Sequence, residues 1–373
     1  MALAGRVPAA RAVSGRPDAL VEGVLLNPAA ELDASPALRE HWYAVCRSSD
    51  LGARRPLGLQ LFDHPLVAFR DAQGRAAVLE DRCAHRHAPL SAGRVCAGKL
   101  RCPYHGWQYD GMGRVTQVPA LGEHVQPSDE LRGVCYRTQE QDGLLWVWPG
   151  AGVPAAVPRI ATVGEPGWTR FIMKTRFRAG VEACLENFLD CPHATFVHRG
   201  WFRSPTGKPV RATVSMLDDG AVAEYFEEPR KRSVIWAMFA PPASTMRHTD
   251  RFIAPATSCV DYVFSDGRAY NITSTCCPLV DGAVEVFTVM SFRFPLWGPL
   301  VRLAFEPVSR WIIRQDVRML DMVADNQRRF PPRRTLSTRA DLLGPAIRGW
   351  RRALAERRTP PAAGECREVS LVL

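Results

Sequence analysis

Several features are scarce or missing in this sequence of 373 residues. It contains no run of about 18 apolar residues without charge, so we expect no transmembrane helix. Lysine occurs only at Lys99, Lys174, Lys208 and Lys231, so the net charge of +10 comes from arginines spread along the chain. No compact basic block interleaved with aromatic residues occurs, so nucleic acid is not an expected partner. No phosphate-binding glycine motif follows a strand, so we expect no nucleotide site in the chain itself.

The eleven cysteines argue against a disulfide framework because their number is odd. Residues 1–23 are not expected to form a secretory leader, since Arg6, Arg11 and Arg16 interrupt any apolar core of such a segment. We therefore expect a cytoplasmic protein with reduced thiols, some of which bind metal.

Composition and hydrophobic patterning predict an α+β protein with β-rich segments and a few helices. Short alternating segments predict an all-β domain, a Pro-rich stretch predicts a linker, and longer strands with helices near 181–198 and 301–329 predict a second domain. The predicted divisions are an N-terminal arm at 1–40 that ends in a short helix near Pro36–Arg39, the all-β domain at 41–150, the linker at 151–164, the second domain at 165–330 and an Arg-rich, partly helical tail at 331–373.

The first metal-binding pattern pairs one cysteine with one histidine in each of two tight loops. Cys83 and His85 form the first pair, and Cys102 and His105 form the second. Two thiolates and two imidazoles are the ligands of a Rieske [2Fe–2S] cluster. They are also a possible zinc set, although zinc fingers usually pair cysteine with cysteine and histidine with histidine. The mixed order and the strand-rich surroundings favour the iron–sulfur cluster.

The second pattern lies in the segment EACLENFLDCPHATFVHRG, where His193 and His198 are five residues apart. Asn187, Asp190 and His193 share one face of a helix, whereas His198 does not. We expect a distortion near Pro192 that brings both imidazoles to one point. Two histidines and one carboxylate form the facial triad of non-heme iron sites. The carboxylate must come from far downstream, where the candidates are Asp316, Asp321 and Asp325.

These segments resemble the Rieske non-heme iron oxygenase family. The resemblance spans residues 41–330 and is strongest in CAHRHAPLSAG, CPYHGWQYDGMG and ENFLDCPHATFVH. It implies an N-terminal all-β Rieske [2Fe-2S] domain and a C-terminal helix-grip (START-like) domain, in which a curved antiparallel sheet wraps around a long helix. It also implies that Cys83 and Cys102 hold one iron of the cluster, and His85 and His105 the other.

The resemblance further implies a mononuclear Fe(II) bound by His193, His198 and Asp316. Asp316 is selected because Gln315, Asp316 and Leu320 fit the family's late-helix pattern. Asp190 would link an iron-binding histidine to a cluster histidine on a neighbouring subunit, carrying electrons between them. Asn187 matches a family position near the iron.

The functional implication is O₂-dependent oxidation of a small apolar or aromatic substrate by hydroxylation, demethylation or oxidative cyclisation. NAD(P)H would supply electrons through a separate reductase, with or without a ferredoxin. The layout is closer to the monooxygenase and demethylase branch than to the ring dioxygenases, and such members are homotrimers. The alternative is a Rieske electron-transfer protein without oxygenase turnover. Four other histidines lack ligand-like neighbours and are expected to be structural or exposed: His41, His64, His124 and His248.

Overall fold

A computed structural model describes residues 32–33, 35–201, 207–226, 244–294, 298–331 and 335–373. Most of the predicted N-terminal arm lies outside these residues. The short helix expected at its end is present as a 3₁₀ helix at Pro36–Arg39. The hydroxyl of Tyr43 donates to the carbonyl of Leu38 at 2.8 Å, which attaches this helix to the first strand.

The N-terminal domain consists of short antiparallel strands, as their alternating apolar residues predict. Strands β1 to β10 span Tyr43–Arg47, Leu57–Leu61, His64–Arg70, Ala76–Glu80, Arg94–Cys96, Lys99–Arg101, Gln108–Tyr109, Val115–Gln117, Cys135–Gln141 and Leu144–Trp148. Six of them form one sheet in the order β1-β10-β9-β4-β3-β2, and β5-β6-β7-β8 form a second. The first cysteine–histidine pair lies between β4 of the first sheet and β5 of the second, and the second pair lies between β6 and β7 of the second sheet.

The C-terminal domain is built on one antiparallel sheet of eight strands, in the order β11-β17-β16-β15-β14-β13-β12-β18. Strands β11 to β18 span Thr169–Phe177, Pro209–Leu217, Gly220–Phe226, Met246–Ile253, Thr257–Phe264, Ala269–Pro278, Val284–Arg293 and Cys366–Val372. Side chains alternate between the two faces of each strand, so one face of β14 carries the buried His248, Asp250 and Phe252.

Helices α1 to α4 span Val181–Phe188, His193–Phe196, Gly298–Gln327 and Gly344–Ala355. The long α3 lies alongside β11, since Gly298 closely approaches Thr169 and Asp325 pairs with Arg178 just beyond that strand. Its buried side chains recur every three or four residues, as expected for a helix with one face on a core: Val301, Phe305, Ser309, Ile312, Asp316, Leu320 and Ala324. The predicted all-β domain followed by a helix-grip domain is confirmed.

The predicted Arg-rich, partly helical tail at 331–373 contains helix α4 and strand β18. In α4, Ile347 and Trp350 are buried in the main core. Strand β18 pairs with β12 along its whole length and forms the edge of the large sheet. Composition suggested a tail because arginine is frequent in this segment, but Arg348, Arg351 and Arg352 lie within an amphipathic helix whose apolar face packs on the domain. No helix of the described residues is long and apolar enough to span a membrane.

Candidate metal centres

The two cysteine–histidine loops lie side by side at one end of the N-terminal domain. Cys83 follows β4 and Cys102 follows β6, and both side chains are buried. His85 and His105 are exposed, and their ring centroids lie 4.7 Å apart. The loops therefore bring together the four predicted ligands as a buried sulfur pair and a surface imidazole pair.

Hydrogen-bond donors surround the two sulfurs. Tyr109 Oη lies 3.1 Å from the Sγ of Cys83 and accepts a hydrogen bond from the Ala84 N–H at 3.0 Å. Burial raises the pKa of the Cys102 thiol, while N–H groups of the following residues, Tyr104 and His105, act in the opposite direction. Donors of this kind stabilise thiolates that bind iron, so the donor set fits a [2Fe–2S] cluster.

The second loop requires a left-handed backbone conformation directly after His105. Gly106 has φ +72°, a conformation that L side chains rarely adopt. The loop then turns back towards its first residue, and the Cys102 N–H donates to the Trp107 carbonyl at 2.8 Å. The indole of Trp107 stacks on His85 with a centroid distance of 4.8 Å and an interplanar angle of 3°. The loop and this stacking hold the histidine pair in position.

The second candidate centre brings together His193, His198 and Asp316. Helix α1 ends at Phe188 and α2 begins at His193, so the helical path breaks around Pro192 as predicted. Asp316 Oδ1 lies 3.5 Å from His193 Nε2 and 3.1 Å from His198 Nε2. One ligand atom from each residue lies within 4.8 Å of the others. Ligand atoms about 2.1 Å from a shared ion lie about 3 Å apart, so this geometry suits a metal.

The chemistry of these atoms also fits a metal ion. Asp316 Oδ1 is buried and has no hydrogen-bond partner among the described residues, despite two nearby imidazole nitrogens. Burial alone would raise the pKa of Asp316, but His193 and His198 lower it to about 2. Burial would likewise lower the pKa of His193, yet Asp316 raises it. A buried oxygen without a donor beside two imidazoles suits Fe(II) in a facial triad.

Each of the two histidines has a partner for its other ring nitrogen. The Nδ1 of His198 is 2.7 Å from the Oε1 of Gln315. The Nδ1 of His193 contacts the main-chain carbonyl of Asp190, whose carboxylate Oδ2 lies 4.0 Å away. Acceptors at Nδ1 leave the Nε2 lone pairs directed at the proposed ion. In the sequence, Gln315 served only as part of the pattern that selects Asp316. Its hydrogen bond to His198 could not be predicted because it depends on tertiary structure.

The predicted residues Asn187 and Asp190 both lie beside the triad. Asn187 and the triad residues line one cavity, and the Nδ2 of Asn187 is buried without a partner among the described residues. The carboxylate of Asp190 is 39% exposed. The buried part of its surroundings is the main cause of its raised pKa. In contrast, Asp321 and Asp325 lie outside the triad, where Asp321 accepts from the N–H of Arg178 and Asp325 pairs with its guanidinium.

The triad lies at a cavity of about 120 Å³ between α3 and the sheet. Most of its wall is apolar, formed by side chains such as Met173, Val260, Ile272 and Met290. His248 and Asp250 also line it. His248, which was expected from the sequence to be structural or exposed, is buried at this cavity. Strand alternation placed both residues on one face, but it could not show that this face meets the cavity.

Comparison with known proteins identifies both domains. The family model for the Rieske [2Fe-2S] domain matches residues 41–134, and that for the vanillate O-demethylase oxygenase C-terminal domain matches residues 177–357. A chloroplastic chlorophyllide a oxygenase from Chlamydomonas reinhardtii is 27% identical over 90% of this chain and 51% of its own length. The oxygenase component of dicamba O-demethylase from Stenotrophomonas maltophilia is 31% identical over 56% of this chain and 61% of its own length.

Solved structures show the same fold. The crystal structure of dicamba monooxygenase bound to dicamba superposes with a TM-score of 0.76 at 22% identity, covering 86% of this chain and 98% of that one. The chain spans about half the length of the first curated relatives it matches, 51% and 49% for two of them. The two matched domains, in this order and with this fold, show that the chain belongs to the Rieske non-heme iron oxygenase family.

Proposed function

We propose that this chain is the oxygenase component of a Rieske non-heme iron oxygenase that oxidises an apolar or aromatic small molecule with O₂. The convergence of His193, His198 and Asp316 at an apolar cavity carries the proposal. A protein that only transfers electrons needs no such triad, so the alternative function has no comparable support. Relatives named dicamba O-demethylase and vanillate O-demethylase favour the monooxygenase and demethylase branch.

In this proposal Cys83, His85, Cys102 and His105 hold the [2Fe–2S] cluster, while His193, His198 and Asp316 hold the mononuclear iron. When bound, the cluster supplies one-electron transfer and the Fe(II) supplies activation of O₂. His193, His198 and Asp316 would supply three ligands to a bound iron, and iron sites with three protein ligands of this kind keep open positions. The apolar cavity wall excludes water and positions the substrate beside them.

The protein side chains orient the ligands and connect the two sites. Gln315 fixes the tautomer of His198, and the Asp190 carbonyl fixes that of His193. The partly exposed carboxylate of Asp190 is available to a cluster histidine from a neighbouring copy, and His105 is exposed. We therefore propose a homotrimer in which these residues meet across subunits, with electrons arriving from NAD(P)H through a separate reductase and, in some systems, a ferredoxin.

We also propose a cytoplasmic location, because the thiols of Cys83 and Cys102, which would hold the cluster, are preserved in a reducing compartment.

Nitric oxide, a surrogate for O₂, tests the iron function. The purified, Fe(II)-supplemented protein should give the EPR signal of a high-spin ferrous nitrosyl, and Asp316→Ala should lose it while keeping the reduced-cluster signal. Asp325→Ala is the matched control on the same helix and should keep both. A wild-type protein without the nitrosyl signal would contradict the proposal.

A further inference from the structure

A hydrogen-bonded group of buried side chains in the cavity has no role in the proposed iron chemistry. His248 is sandwiched between two tyrosines with nearly parallel rings. Its centroid lies 4.4 Å from that of Tyr225, at an interplanar angle of 10°, and 4.3 Å from that of Tyr262, at 17°. The side chains of His248 and Asp250 are only 1% and 4% exposed. A polar group this deeply buried has a fixed orientation.

Asp250 is the centre of this group. Its Oδ1 lies 2.9 Å from the Nε2 of His248, and its Oδ2 accepts a hydrogen bond from the Tyr225 hydroxyl at 2.8 Å. An ionised carboxylate offers about four acceptor positions. Among the described residues, these two donors leave acceptor capacity on a carboxylate that lines the cavity. A ligand with an N–H or O–H group can use that capacity.

The charge of the cavity restricts which ligands fit. The described lining residues include Asp190, Asp250 and Asp316 but neither lysine nor arginine. Asp316 belongs to the proposed iron site, and the imidazole that contacts Asp250 is already engaged through its Nε2. The positive charge of a bound iron would lie at the triad, whereas a carboxylate or phosphate placed beside Asp250 would meet a like charge in a poorly solvated cavity, without a lysine or arginine among the described lining residues to offset it.

An aromatic surface extends from this group across the sheet towards α3. Tyr262 stacks with Tyr270 at a centroid distance of 6.0 Å, and Tyr270 stacks with Phe292 at 4.7 Å. Phe292 in turn lies 4.9 Å from Phe305 of α3. Aromatic rings pack favourably against such a surface. The cavity wall therefore combines a row of stacked aromatic side chains with the buried carboxylate of Asp250.

We propose that Asp250 determines substrate specificity by accepting a hydrogen bond from an aromatic substrate that carries an N–H or O–H donor and no negative charge. Tyr225 and His248 act as positioning residues that hold the carboxylate. This inference rests on the proposed function, because it assigns the substrate class of the same cavity. It adds a residue that lies far from the iron motif in sequence.

Three probes with one ring system test the proposal: 2-naphthylmethanol, its methyl ether and 2-naphthoate. They present a neutral donor, no donor and an anion, respectively. Binding to the purified, Fe(II)-supplemented protein is measured by calorimetry, without turnover. The alcohol should bind at least about tenfold more tightly than either other probe, as expected for a hydrogen bond to a charged acceptor.

Asp250→Asn should reduce the preference for the alcohol over the methyl ether, and over 2-naphthoate, to within about threefold in each case. The charge that strengthens the donor contact and repels the anion is then gone. Asp261→Asn is the matched control, since Asp261 lies on the neighbouring strand β15 and is not among the cavity-lining residues; it should keep the wild-type order. Failure of the wild-type protein to prefer the alcohol overturns the proposal even if Asp250→Asn does not fold. Unchanged preferences in a folded Asp250→Asn protein overturn it as well.

The nitrosyl experiment separates this inference from the proposed function. A nitrosyl signal without discrimination among the three probes refutes the role of Asp250 alone. Discrimination that depends on Asp250 without a nitrosyl signal supports that role and refutes the iron chemistry alone.

Discussion

Replacing Gln315 with leucine should weaken iron binding without removing an iron ligand. The Oε1 of Gln315 lies 2.7 Å from the Nδ1 of His198, and His198 is 4% exposed. Leucine has a similar volume but no acceptor, so the imidazole loses the group that fixes its orientation and tautomer. Such partners of metal-binding histidines contribute about 10- to 100-fold to metal affinity, or about 1.4 to 2.7 kcal/mol.

The assay is competition for Fe(II) between the protein and a chromophoric chelator under anaerobic conditions, with the reduced-cluster EPR signal as a check on folding. Gln315→Glu keeps an acceptor and should retain affinity within a few-fold. Gln327→Leu makes the same chemical change at an exposed position at the end of α3 and should have no effect. An affinity of Gln315→Leu within twofold of wild type would refute the reasoning about His198.

Three further changes test other parts of the structure. Asp190→Ala should keep both metals yet abolish turnover, measured as O₂-dependent reoxidation of the chemically reduced cluster; rapid reoxidation would contradict the bridging role. Tyr109→Phe removes the hydroxyl 3.1 Å from the Sγ of Cys83 and should lower the cluster reduction potential, measured by redox titration, whereas an unchanged or higher potential would contradict a donor role. Arg351→Met leaves the buried carboxylate of Asp33 without its cation and should lower the free energy of unfolding by about 3–5 kcal/mol in urea titrations; a loss below about 1 kcal/mol would contradict this.

The sequence predicted the metal-binding residues because their spacing is local. Cys83 and His85 occupy one loop, and His193 and His198 follow a helix that had to be distorted near Pro192. The structure contains that break, and it places the two imidazole centroids 5.2 Å apart. The position of Asp316 required the family resemblance, because three carboxylates on one helix were all chemically suitable.

Features that depend on long-range packing were not predicted. The pairing of β18 with β12 joins segments that are far apart in the chain, and the Arg-rich composition gave no sign of it. The hydrogen bond from His198 to Gln315 joins residues separated by 117 positions. The role of Asp250 depends on which face of β14 meets α3, and the period of two in a strand leaves that choice open.

Iron and acid-labile sulfide analysis of the anaerobically purified, Fe(II)-supplemented protein tests the central claim most directly. The account predicts about three irons and two sulfides per chain, with a Rieske EPR signal after reduction. Asp316→Ala should retain about two irons and two sulfides. A wild-type protein that never exceeds two irons would contradict the assignment of His193, His198 and Asp316 to a second metal centre.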